Sequence, residues 1–171
     1  MRTIGIHTRV AWFVGAAALL IQISPAQATD KDHNNRPVDI TFTKWGVTAP
    51  PPPAPQPPFG LLEGFADGGP VGSFVGEVLW RQPSLNGHVV GLTAMYEVVD
   101  GDRSFTALIR GGTNNVTGAA LLDGVVLAGW RTGARVHVEF DTIPGTTGCF
   151  GAPAGKTCFV GTIYVGRAPR D

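Results

Sequence analysis

The sequence has few charged residues and almost no cysteine. Of its 171 residues, 15% are charged, with 13 basic and 13 acidic residues, and two are cysteines. The equal numbers of basic and acidic residues argue against nucleic acid as a partner, because binding to phosphates depends on an excess of lysine and arginine. Eight residues separate the two cysteines, a spacing that matches neither a C-x-x-C redox motif nor a zinc-ligand set. No G-x-S-x-G stretch supplies a serine nucleophile, which disfavours hydrolase chemistry. We therefore expect no metal and no cofactor.

The sequence also lacks an apolar run long enough to span a bilayer, which takes roughly 20 residues. The longest such run, residues 10–21, follows Arg2 and Arg9 and precedes a Ser-Pro-Ala-Gln-Ala segment that ends at Ala28. A basic start, a short apolar core and small residues before a cut site are typical of a secretion signal. We predict that residues 1–28 are a signal peptide cleaved after Ala28, rather than an uncleaved membrane anchor. The mature chain is then a soluble protein of the periplasm or the external medium, with no stable membrane insertion.

Export changes the meaning of Cys149 and Cys158. In an oxidising compartment two cysteines this close in sequence are expected to pair. Removing residues 1–28 also removes Arg2 and Arg9, so 11 basic and 13 acidic residues remain, a net charge of −2. We predict a structural disulfide between the two cysteines, with a redox pair or a metal site as the alternatives.

The mature chain divides into three parts. Residues 29–37 are polar and are predicted to be a disordered lead-in. Residues 38–171 are predicted to form one β-barrel domain, whose first strand places Val38, Ile40, Phe42 and the stem of Lys44 on one side. Within it, the Pro-rich loop 50–58 is expected to be an extended spacer, or alternatively a ligand for an aromatic groove.

Glycine-rich and asparagine-rich turn signals divide the remainder into short segments rich in valine, phenylalanine, threonine and tyrosine. The predicted strands are 72–81, 89–99, 104–110, 116–122, 125–130, 134–143 and 158–166. With the first strand this gives about eight strands, and no segment has a helical period. The sequence predicts an all-β fold, an eight-stranded antiparallel β-barrel, with a β-sandwich as the alternative.

Alternation along these strands assigns two faces. The apolar face, predicted to be the core, holds Phe74, Val78, Trp80, Leu92, Ala94, Tyr96, Val98, Phe105, Ala107, Ile109, Val136, Val138 and Phe140. The polar face, predicted to be solvated, holds Glu77, Arg81, Met95, Glu97, Thr106, Arg110, Arg135, His137, Glu139 and Asp141.

Several stretches resemble a known family. They are residues 72–79 (GSFVGEVL), 92–96 (LTAMY), 104–107 (SFTA), 118–126, 129–130 (GW) and 158–163 (CFVGTI). Between Val38 and Val165 the chain resembles bacterial exported proteins with an allene oxide cyclase barrel-like domain, and more distantly plant dirigent proteins. The resemblance implies an eight-stranded antiparallel barrel of the calycin type and a homotrimer. It also implies an interior that holds an unsaturated substrate for cyclisation, but the carboxylate site of the plant cyclases has no counterpart here.

Four polar residues are the candidates for chemistry. Glu77 lies between Val75 and Leu79 on its own face, where apolar neighbours would raise the pKa of a carboxyl group enough for acid or base catalysis. His137 and Glu139 share a face and could form an acid/base pair, and Arg110 completes the set. The alternative interpretation makes all four exposed side chains that form ion pairs.

Two functions follow from these patterns. One is an exported barrel that binds a small apolar ligand or a macromolecule, and the other is a cofactor-free cyclase or isomerase acting on an unsaturated substrate. A solidly packed interior would leave no room for a substrate, whereas an open cavity with inward Glu77, Arg110 or His137 would favour catalysis.

Overall fold

The chain forms a closed β-barrel in the computed structural model, which describes residues 36–47 and 57–167. The strands are β1 (Val38–Val47), β2 (Gly60–Gly68), β3 (Gly72–Pro83), β4 (Val89–Val99), β5 (Phe105–Asn114), β6 (Ala119–Gly129), β7 (Arg135–Ile143) and β8 (Cys158–Val165). A single 3₁₀ turn, Gly101–Arg103, precedes β5, and the described residues contain no α-helix.

Each strand pairs antiparallel with the next, and β8 pairs with β1 to close the sheet. Closure leaves no sheet edge, because every strand has a neighbour on both sides. The predicted eight-stranded antiparallel barrel is confirmed, and the sandwich alternative is wrong. The predicted signal peptide with its cut after Ala28, residues 29–35 of the lead-in and residues 50–56 of the Pro-rich loop lie outside the described residues.

Two strand predictions were wrong: one strand was missed, and another was predicted as two separate strands. Strand β2 was not predicted, since three glycines and two acids give residues 60–68 little strand propensity. Strand β6 was split at Asp123 and Gly124, although it continues through both residues. At Gly124 a side chain would reach within 1.9 Å of the Leu108 carbonyl oxygen, so this glycine allows a close approach of two strands rather than a turn.

The core lies inside the barrel and follows the predicted apolar face. Fully buried residues include Phe74, Val98, Phe105, Ile109 and Val138. Burying an aromatic or branched side chain of this size contributes roughly 1.5–3 kcal/mol to stability.

The end of β3 departs from the predicted apolar face, because the inward and outward positions are exchanged there. Between Val78 and Trp80 the pairing with β4 shifts by one residue, a β-bulge. After it, Arg81 pairs with the inward-facing Leu92, and Trp80 lies outside against Gly91, with 44% of its surface exposed. The prediction of a buried Trp80 was wrong, whereas Arg81 is exposed as predicted but on the lumen side, because one extra residue exchanges the two faces.

The two ends of the barrel differ. At the end where β8 finishes, the buried Arg131 stacks on Trp130 and donates hydrogen bonds to the carbonyl oxygens of Val165 and Gly166. At the opposite end β1 finishes and β8 begins, and the long β7–β8 connection, residues 144–157, lies there.

The predicted disulfide between Cys149 and Cys158 is confirmed. It ties the β7–β8 connection to the start of β8. Across the sheet Cys158 pairs with Trp45, whose ring packs edge-on against Phe65 at 5.3 Å. The connection contacts Phe65 through Gly151, where an added Cβ atom would lie 2.1 Å from the Phe65 ring. The disulfide therefore holds this segment over an aromatic patch on the outer wall.

Candidate functional site

In the part of the chain that the structure describes, the barrel interior opens at the end where β1 finishes. A cavity of about 340 Å³ lies there. Small-molecule sites typically measure roughly 300–1,000 Å³ and are lined mostly by apolar groups. The lining residues are Lys44, Gly46, Val47, Phe59, Gly60, Leu61, Leu62, Val78, Arg81, Val90, Leu92, Ala94, Tyr96, Thr113, Asn115, Phe140, Thr142 and Phe159.

Lys44 is the polar residue buried deepest in this cavity. It follows Ile40 and Phe42 on the inward face of β1, and 1% of its surface is exposed. Its cross-strand neighbours are Gly64 on β2 and Phe159 on β8. A side chain at Gly64 would clash with the backbone of Thr43 and Lys44, so this glycine allows β1 and β2 to approach closely beside the lysine.

The Lys44 amine contacts one polar group and several aromatic rings. Nζ donates a hydrogen bond to the Tyr96 hydroxyl. It lies 4.1 Å from the ring centroids of both Tyr96 and Phe140 and 4.7 Å from that of Phe42. Within the described residues no carboxylate forms an ion pair with Lys44.

Burial changes the proton affinity of both members of this pair. The pKa of Lys44 is lowered well below 10.5, because the buried ammonium loses its hydration. The aromatic faces favour the ammonium form, but each contributes only about 0.5–2 kcal/mol, which does not replace the lost water. Burial raises the pKa of Tyr96, since the phenolate would also be desolvated. Tyr96 is therefore a neutral phenol that both donates and accepts hydrogen bonds.

The cavity mouth has a different character. The bulge in β3 brings Arg81 to the lining, where its side chain is exposed, and Thr113, Asn115 and Thr142 add uncharged polar groups. Among the residues that the structure describes, no aspartate or glutamate lines the cavity. The cavity therefore offers cationic and hydrogen-bond-donor groups to a ligand, and no negative charge.

The four predicted site residues do not line this cavity. Glu77 lies on β3 opposite Met95 and Leu61, and Arg110 is exposed on β5. The predicted pair of His137 and Glu139 does form a contact, with His137 Nε2 3.0 Å from a Glu139 oxygen.

A second carboxylate completes the His137 cluster on the outer wall. His137 Nδ1 lies 2.8 Å from a carboxylate oxygen of Asp123, the residue opposite it on β6. Hydrogen bonds to Asp123 and then Glu139 raise the pKa of His137. The cluster is largely solvent-exposed and separate from the lumen.

The residues at the lumen site were missed as functional residues by sequence reasoning. The alternation of β1 placed the stem of Lys44 on the same side as Ile40 and Phe42, and that was the available signal. A charged residue on the buried side of a strand needs either a partner or a function. Tyr96 was assigned only to the core, and Arg81 to the solvated face.

The chain matches no protein-family model, and its comparison with curated proteins and with solved structures gives no significant match. In the part of the chain that the structure describes, no helix is long and apolar enough to cross a membrane. The same residues contain no group of three or more histidine, cysteine or acidic side chains placed to hold a metal ion.

Proposed function

We propose that this barrel binds a small, mainly apolar ligand in its lumen, with an oxygen-bearing head group directed at Lys44 and Tyr96. The observation that carries the proposal is an apolar cavity with a single buried amine–phenol pair deep inside it. A lumen filled by its own side chains would not need either polar group.

The hydrogen-bonding capacity of the pair indicates the kind of head group. A lysine nitrogen has two or three N–H donors, and one of them reaches Tyr96. Within the described residues the Lys44 side chain makes no further hydrogen bond. A ligand oxygen, in a carbonyl, carboxylate or phenol, would accept from Nζ and replace part of its lost hydration. Such a ligand matches both the apolar wall and the polar pair.

Blocking the cavity tests this function. Leu92 lines the cavity, and Leu92→Trp would occupy its space. Leu121→Trp is the matched control, because Leu121 is exposed on the outer wall. We expect N-phenyl-1-naphthylamine to bind the wild type and Leu121→Trp with enhanced fluorescence, and not to bind Leu92→Trp. Equal fluorescence from all three proteins would refute a lumen site.

A second function, cofactor-free cyclisation or isomerisation of an unsaturated ligand, is supported by the same pair. An amine of lowered pKa beside a protonated phenol is suited to moving a proton in a dry cavity. The resemblance to allene oxide cyclase barrel-like proteins supports this alternative. Turnover of an unsaturated carbonyl compound that falls much further in Tyr96→Phe than ligand binding does would favour the enzyme.

We also propose that the chain is exported as a trimer-forming protein, on the basis of its N-terminal signal pattern and that resemblance. Terminal sequencing of the secreted protein should begin at Thr29, directly after Ala28. Light scattering of the purified protein should give three times the mass of the processed chain. A terminus at Met1 would contradict the first proposal, and a monomer mass the second.

A further inference from the structure

The environment of the Lys44 amine is suited to a nucleophile. The amine lies deep in an open cavity, is shielded from bulk water and has no carboxylate partner in the described ranges 36–47 and 57–167. A lysine that forms an ion pair is kept as an ammonium, which has no free electron pair to attack a carbon atom. Because Lys44 lines the cavity and forms no ion pair within these ranges, a ligand in the cavity would lie beside this side chain.

A proton donor is already in contact with the amine. The Tyr96 hydroxyl is within hydrogen-bonding range of Nζ, so a carbonyl oxygen bound next to the nitrogen would also be within reach of the phenol. The rings of Phe140 and Phe159, which lie beside the amine and line the cavity, form an apolar wall on which a flat, conjugated ligand could pack.

We propose that Lys44 captures the carbonyl group of an apolar aldehyde or ketone as a Schiff base, an inference that rests on the proposed ligand-binding function of the cavity. The lowered pKa of Lys44 supports it, because a desolvated lysine has a larger neutral fraction at physiological pH.

The condensation balances without any further reagent. The Nζ electron pair forms a bond to the carbonyl carbon while the carbonyl oxygen takes a proton from Tyr96, and a proton from the nitrogen returns to the phenol. The hydroxyl group of the resulting carbinolamine and the second nitrogen proton then leave together as water, and the C=N bond forms. Carbon and nitrogen are neither oxidised nor reduced overall, and the water leaves through the mouth. Hydrolysis by the reverse route makes the capture reversible.

Cinnamaldehyde and its non-carbonyl analogue cinnamyl alcohol distinguish Schiff-base formation at Lys44 from ligand binding in the cavity. The purified chain is incubated with the aldehyde at pH 7 in the presence of sodium cyanoborohydride, which reduces an imine to a stable secondary amine. Peptide mapping by mass spectrometry then locates the adduct. Binding of the alcohol is measured separately by displacement of N-phenyl-1-naphthylamine.

We expect the adduct at Lys44 to form roughly ten-fold faster or more than at Lys156, which lies outside the cavity in the β7–β8 connection. Lys156→Arg should leave that adduct unchanged. Lys44→Arg and Lys44→Met should both lose it, and two variants are used so that a folding defect in one does not decide the result. Tyr96→Phe should slow adduct formation more than it weakens binding of the alcohol, because it removes the proton donor as well as one of the two hydrogen-bonding groups.

The outcomes are distinguishable. Displacement by the alcohol together with a Lys44 adduct supports the Schiff base. Displacement by the alcohol with labelling confined to other amines overturns it and leaves the ligand-binding function standing. Failure of N-phenyl-1-naphthylamine to bind, with no Lys44 adduct, refutes the binding function and the Schiff base together.

Discussion

Lys44 donates a hydrogen bond to Tyr96 across the lumen, although the two residues are 52 positions apart in the chain and lie on strands that are not neighbours. The strands between them contribute glycines at the matching positions: Gly64 lies opposite Lys44, and Gly76 lies opposite Tyr96. At Gly76 a Cβ atom would lie 3.2 Å from both Leu62 and Phe74, so the interior is tightly packed beside Tyr96. The buried pair is therefore a consequence of barrel closure, since an open sheet would separate β1 from β4.

The first prediction concerns stability as a function of pH. The folded state lowers the pKa of Lys44, whereas the unfolded chain titrates near 10.5. Between the two values the unfolded state binds one more proton, so stability rises with pH across that window and levels off near pH 10.5. A single proton permits a slope of at most about 1.4 kcal/mol per pH unit. Lys44→Met should lose this rise and should be more stable than the wild type at neutral pH.

Urea unfolding of both proteins between pH 6 and pH 10 measures the effect. The difference between the two profiles isolates Lys44 from all groups that titrate in both proteins. Lys156→Met is the control, and its profile should parallel that of the wild type because Lys156 lies in the β7–β8 connection, outside the lumen. Parallel profiles for Lys44→Met and wild type would show that burial does not affect this amine.

The second prediction concerns the charge at the cavity mouth. Arg81→Gln should weaken binding of a carboxylate-bearing aromatic ligand roughly two- to five-fold, because an exposed ion pair contributes about 1 kcal/mol or less. Binding of the corresponding alcohol should not change. Added salt should reduce the difference, since exposed charges are screened.

Arg110→Gln provides the matched control for Arg81→Gln. Arg110 is exposed on β5 and does not line the cavity, so its loss should leave both affinities unchanged. An equal loss of affinity in the two variants would point to a long-range effect of net charge instead of a contact at the mouth.

Period-two alternation predicted most of the fold, because one face of each barrel strand is buried and the other is not. It failed where backbone geometry outweighs side-chain type. Strand β2 forms despite its glycines because both of its neighbours pair with it. The bulge between Val78 and Trp80 is not encoded by any turn residue, so the inward position of Arg81 could not be predicted. The Lys44–Tyr96 pair also depends on strand register around the closed barrel, which short-range patterns do not contain.

The third prediction concerns the outer-wall cluster of His137, Asp123 and Glu139. Hydrogen bonds to the two carboxylates raise the pKa of His137 above 6.5 in the folded chain. The protonated histidine therefore stabilises the fold below pH 6.5, and this contribution is lost as the pH rises through the folded-state pKa. His137→Gln should lower the melting temperature slightly at pH 5 and have a smaller effect at pH 9.

Asp123→Asn should give the same pH pattern, because Asp123 makes the larger contribution to the shift. Thr162→Ala is a control at the neighbouring position, since Thr162 faces Glu139 across β7 and β8 and does not titrate in this range. Equal losses at the two pH values in His137→Gln would mean that its contribution is packing against Tyr164 rather than charge.

The fourth prediction concerns the disulfide between Cys149 and Cys158. It closes a short loop, with a sequence separation of nine residues. The chain-entropy model assigns such a loop about 2.7 kcal/mol of stabilisation through the unfolded state. Replacing both cysteines by alanine should lower the free energy of unfolding by roughly this amount, measured by urea titration under oxidising conditions.

The same double variant tests whether ligand binding in the lumen depends on the β7–β8 connection. The disulfide anchors the connection that covers Trp45 and Phe65 on the outer wall, whereas Lys44 and Tyr96 are held by the barrel strands themselves. We therefore expect cinnamyl alcohol to bind the double variant with unchanged affinity at temperatures where it remains folded. Loss of binding together with an unchanged free energy of unfolding would contradict both expectations. It would mean that the connection contributes to the ligand site and that the disulfide does not stabilise the barrel.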